Sequence, residues 1–260
     1  MELIPFADQK PHSFNELLCD GVAARNLGSF AALLALHAQL QAEHPEMRVL
    51  ASLDDRGQAE YTSAHTSETN DLDNVEGHDL SALTPEAFEN GVHRGYLSTP
   101  AEFPIRLANL RARAVPVEEV RGCLAWATDG DRNDPLVVNR DPDAKLRIDM
   151  EKEVLFQFVP VAAAADALAA FPNAYFTSDL DPFETHALAR HMEAEYGLAL
   201  FGVGAAYLGF RRADPFDAAT AQRLAEDIGT FYAHAQGHAV AALAALLTGR
   251  DWLLLRYTES

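Results

Sequence analysis

Residues 181–212, DPFETHALARHMEAEYGLALFGVGAAYLGFRR, carry the reading on which the fold class turns. Asp181 is an N-cap residue followed by Pro182 at the first helical position, and Gly197 is a natural stop, so the spacing predicts a helix between them. LALFGVG and AYLGFRR then read as two strands joined by a glycine-containing turn. Residues 217–235 and 238–248 have helical periodicity and DWLLLRY (251–257) reads as a closing strand. The order helix, two strands, two helices, strand predicts a small α/β sandwich with helices on one face of a sheet.

Within it, HAQGHAV (234–240) sets His234 and His238 four apart, the spacing of a helical metal half-site. Gly237 between them costs about 1 kcal/mol inside a helix and is preferred past a C-terminus. A turn at Gln236 and Gly237, with Gly237 at positive φ or in the turn, is the simpler expectation. His186 and His191 are five apart and point about 140° away from each other on a helix. No metal and no cofactor is expected.

Upstream, SFAALLALHAQLQAEHPE (29–46) reads as a helix capped by Ser29 and stopped by Pro45. MRVLASL and QAEYTSA read as strand, turn and strand; residues 64–84 are polar and acidic without period and read as a long loop. PIRLANLRAR (104–113) reads as a helix with Ile105, Leu107 and Leu110 inward and Arg106, Arg111 and Arg113 outward. CLAWAT, PLVVN, LRID and VLFQFVPV read as an antiparallel meander. The whole is therefore α+β, with a β-rich N-terminal and middle part (residues 1–172) followed by the sandwich (173–260).

Thirty-nine acidic against twenty basic residues give a formal charge of −19, which argues against a phosphate backbone as partner and reads either as a solvated surface or, more sharply, as a docking face for a basic protein. The 48% hydrophobic content is ample for a core. Cys19 and Cys123 are too far apart in sequence to suggest a disulfide framework or zinc ribbon, and read as reduced buried thiols. Neither a leader nor a run of eighteen apolar residues is legible, so a cytoplasmic protein without membrane contact is expected. Asp129, Asp131 and Asn133 fit the first calcium-loop positions, but Asp134 and Arg140 stand where glycine and glutamate are needed, so an acidic turn is the better reading. No phosphate-cradling loop or activated nucleophile appears, and no catalytic residue is named.

Residues 173–258 resemble the bacterial domain-of-unknown-function family 4253, on Gly197, Gly202, Gln236, Gly237 and Trp252; the family's several terminal tryptophans and its Cys-Pro are missing here. The resemblance implies no activity. CLAWATDGDRNDPLVVNRD (123–141) resembles, over that stretch alone, the SUKH group of immunity-like proteins. The expectation is a non-catalytic protein-binding protein, immunity-like or regulatory. The rival is an enzyme or small-molecule binder with a pocket between the two parts lined by His191, Tyr207, Tyr232 and His234. The oligomeric state is left open.

Overall fold

The computed structural model describes residues 1–8, 17–126, 135–174 and 180–258. In chain order the elements are β1 (Glu2–Pro5), β2 (Gly21–Arg25), α1 (Phe30–Glu43), β3 (Arg48–Ser52), α2 (Arg56–Thr69), β4 (Phe88–Glu89), β5 (Val92–His93), α3 (Phe103–Ala112), β6 (Leu124–Ala125), α4 (Pro135–Arg140), α5 (Pro142–Leu146), β7 (Glu153–Val159), α6 (Pro182–Tyr196), β8 (Ala199–Val203), β9 (Tyr207–Arg211), α7 (Ala218–Phe231), β10 (Tyr232–Ala233), α8 (Gly237–Leu247) and β11 (Trp252–Arg256). A 3-10 helix spans Ala164–Ala170. The chain is α+β. Among the described residues no helix is long and apolar enough to cross a membrane.

One seven-stranded sheet runs β1-β2-β7-β3-β8-β9-β11. It is antiparallel except where β3 lies parallel to β8, pairing Ala51 with Gly202 and Ser52 with Val203. That junction joins strands from either side of residue 172, so the sheet continues across the boundary. Side chains alternate between faces with period two. Leu200, Leu208, Phe210, Leu253 and Leu255 pack with Leu188, Met192, Leu224 and Leu243 of α6, α7 and α8. Phe201, Tyr207 and Leu254 pack instead with Phe30, Leu33 and Leu36 of α1. The C-terminal helices thus share one face, while the N-terminal α1 seals the other. Phe30 meets Trp252 edge-on at 4.9 Å, and Arg211 donates to the Leu34 carbonyl at 2.9 Å.

Local capping explains the long helices. Ser29 Oγ accepts from Ala32 N–H. Asp181 accepts from Phe183 and Glu184 N–H, while Glu184 reaches back to Asp181 N–H, a reciprocal capping box. Gly197 ends α6 at φ 66°.

Several expectations need correction. QAEYTSA lies in α2, whose buried set Ala59, Thr62, Ser63, Thr66 and Ser67 has helical spacing but too little apolar character to reveal it. The loop expected over 64–84 begins only after Thr69. The meander reduces to β7 and the two-residue β6: PLVVN forms α4 despite its valines, and LRID pairs with no strand. The calcium-like residues Asp129, Asp131, Asn133 and Asp134 fall outside the described residues. Cys123 is exposed, not buried. The helical path breaks after Phe231, but the left-handed residue is His234 at φ 66°; Gly237, not among the residues with positive φ, opens α8 with Gln236 as its N-cap.

Asn139 explains why α4 sits where it does. Its buried amide donates to the Leu254 carbonyl at 2.7 Å and accepts from Leu254 N–H at 2.9 Å, satisfying an edge strand that has no strand neighbour there. Asn139→Ala should strand two buried backbone groups and lower stability by about 2–4 kcal/mol. Urea unfolding checks this; a loss under about 0.5 kcal/mol, typical of surface substitutions, would refute the role.

Candidate functional site

The segment between α2 and α3 is an acidic excursion. No Lys or Arg occurs between Arg56 and Arg94, and Asp71, Glu76, Asp79, Glu86 and Glu89 are all exposed. Val92 (70% exposed) and Tyr96 (51%) add apolar surface in the same segment. The excursion is held from within by α3. Arg106 makes a two-pronged bond to Asp73 at 2.7 and 3.0 Å, and Asp73 also accepts from Leu97 N–H. Asn109 donates to the Leu72 and Asn74 carbonyls and pairs with His78; Arg113 donates to the Asn70 carbonyl. Arg106 is therefore buried, correcting the outward orientation expected for it. Fully buried Leu72 anchors the segment to the core.

The four residues proposed for a pocket have different bonding partners. His191, on α6, bonds Asp227 of α7 at 2.5 Å, and Asp227 also accepts from Tyr196 and Arg121, each at 3.1 Å. Burial alone would raise the Asp227 carboxyl, but these partners hold it below its usual range. Tyr207 packs in the cluster on the α1 face, where burial pushes its hydroxyl up to about 12. Tyr232 belongs to the opposite cluster and donates to the Arg256 carbonyl at 2.6 Å, with Trp126 edge-on at 5.4 Å. His234 is exposed in the connection to α8, and His238 is exposed at the start of that helix.

Two buried carboxylates, Asp166 and Asp54, escaped the sequence reading. Asp166 joins His186 (3.0 Å) to Arg111 (2.5 Å), and these two outweigh burial to hold its carboxyl down near 2. The other His186 nitrogen is buried without a hydrogen-bond partner, so no hydroxyl or thiol stands against it to be activated. Cys123 donates to the Glu119 carbonyl and burial raises its thiol, which weakens it as a nucleophile. Among the described residues no three His, Cys, Asp or Glu side chains are grouped to hold a metal.

Asp54, just past β3, is the second. It accepts from Ala206 N–H at 3.0 Å and Tyr207 N–H at 3.3 Å and so holds the β8–β9 turn. A Cβ on Gly204 would fall 1.9 Å from its Oδ1, so that position has room only for glycine. The sequence signal available was the Gly-x-Gly spacing of Gly202 and Gly204 beside an Asp-Asp pair, which without a structure says nothing about contact. Comparison with protein-family models, curated proteins and solved structures returns no match, so the function has to be argued from geometry.

Burial pushes the Asp54 carboxyl up to about 7 against the pull of its amide donors. Its folded value thus exceeds its unfolded one, so its contribution to stability is fully present below about pH 4 and is lost as pH rises through about 7. The stability of the wild type relative to Asp54→Asn should be highest near pH 4 and shrink towards pH 8. Urea unfolding across that range reads it, and a difference independent of pH would show that Asp54 does not titrate there.

Proposed function

We propose that the protein works by binding, without catalysis, and that its partner is a basic protein docked on the acidic excursion. The observation that carries this reading is the excursion itself: five exposed carboxylates, Asp71, Glu76, Asp79, Glu86 and Glu89, in the same segment as exposed Val92 and Tyr96, held in place by Arg106, Asn109 and Arg113. Aromatic and apolar side chains supply contact area, while surrounding charge steers a complementary surface and fixes its orientation. Neutralising or regulating such a partner is the role proposed for this surface. The free Cys19 and Cys123 favour a cytoplasmic setting.

The pocket-bearing enzyme is the weaker reading because His191 is committed to Asp227 and the Tyr232 hydroxyl to the Arg256 carbonyl.

The test compares wild type with a variant in which Glu76, Asp79, Glu86 and Glu89 are changed to Lys. Partners are captured from host cells expressing the neighbouring genes, then purified, and their affinity is measured by calorimetry. A basic partner whose affinity drops roughly tenfold or more in the variant, and likewise on raising salt from about 50 to about 500 mM, is expected. A partner that binds both proteins equally, with no salt dependence, overturns the proposal.

A further inference from the structure

His93 ends the two-residue strand β5 in the middle of the excursion. Its Nε2 lies 2.7 Å from Glu102 Oε1, and its Nδ1 accepts from Gly95 N–H at 3.0 Å. An amide can only donate, so Nδ1 must carry a lone pair. The ring proton is therefore on Nε2, donating to Glu102, and the imidazole is neutral. Glu102 is fully buried; its Oε2 accepts from Ser98 N–H, Thr99 N–H and the Thr99 hydroxyl. Burial would raise that carboxyl, but these bonds and His93 together hold it below its usual range.

The two sides of the ring respond oppositely to acid. A second proton turns the Glu102 contact into an ion pair and strengthens it. On the other side it places an N–H donor against the Gly95 N–H, so that hydrogen bond is lost. Gly95, at φ 84°, makes the turn between Val92 and Tyr96. We propose that His93 is a pH-sensitive pin for the hairpin presenting Val92 and Tyr96, released on its Gly95 side when the imidazole gains a second proton. The pin is a property of the free protein; only its use as a gate on docking rests on the function proposed above.

Other groups among the described residues lie around the ring. Phe88 of β4 presents its ring edge-on at 6.0 Å. Glu89 and Arg94 flank it on the same hairpin, with Arg94 acting on Glu86. Beyond them the Asp73–Arg106 pair holds Leu97 N–H. Of these, Glu102 is the carboxylate bonded to the ring.

The experiment uses the full chain, labelled with nitrogen-15, without any partner. Long-range proton–nitrogen spectra report the protonation of His93, and hydrogen exchange relative to the intrinsic rate reports Gly95. At pH 8 the Nε2–H tautomer and a protected Gly95 amide are expected. As the pH is lowered, the appearance of the doubly protonated ring should coincide with at least a tenfold loss of Gly95 protection, while the amides of Leu200 and Phe210 in the sheet hold theirs. Glu102→Gln, which removes the charge favouring the second proton, should move both events together to lower pH. In His93→Gln, Gly95 protection should no longer depend on pH. Protection that survives titration of the ring, or that is lost at the same pH in either variant, overturns the pin.

Discussion

The side chain of Asn173 is the constraint on which the arrangement of both halves depends. Its amide nitrogen, buried to 1% exposure, lies within hydrogen-bonding distance of the Gly204 and Ala205 carbonyls and the Tyr257 hydroxyl, while its oxygen takes the Thr62 hydroxyl. One amide therefore binds α2, the β8–β9 turn and the chain leaving β11. Tyr257 and Thr258 add hydroxyl bonds to the same turn, and Asp54 grips it from the end of β3. With the aqueous alternative gone, every one of these groups is costly to leave unpaired, so the network favours a single mutual placement of strands and helix.

Charge is distributed by the same logic. Arg25, Arg56, Arg106, Arg111, Arg121 and Arg211 all contact carboxylates within the molecule. An acid-rich chain that pairs so much of its base internally presents an outer surface more one-sided than its composition alone suggests. The partly buried Arg106–Asp73 bond fixes geometry more than it adds stability, since desolvation offsets much of the attraction between such pairs.

What could be read from the sequence depended on whether the signal was local. α1 and α6 announce themselves through Ser29, Asp181, Pro182 and Gly197, because capping is decided within a few residues. α2 does not, since its inward face is alanine, serine and threonine, and what makes that face fit is Asn173, more than a hundred residues away. The two valines of α4 favour a strand, and the bonds from Asn139 to Leu254 override them. The acidic, aperiodic character of the excursion was plain, but its fixation by Arg106, Asn109 and Arg113 was not. Pocket candidates chosen by residue type have different bonding partners, His191 with Asp227 and Tyr232 with the Arg256 carbonyl, because type alone carries no address in three dimensions.

The closure of β11 has a consequence for how copies of the chain could meet. A sheet joins others of its kind through open margins, and unlimited growth needs two of them, one at each end. Here Asn139 occupies the hydrogen-bonding positions of Leu254 on one margin, and β1, a short strand paired only with β2, forms the other. For the seven-stranded sheet, backbone joining is hindered at the β11 margin and left to β1, which works against end-to-end stacking of copies.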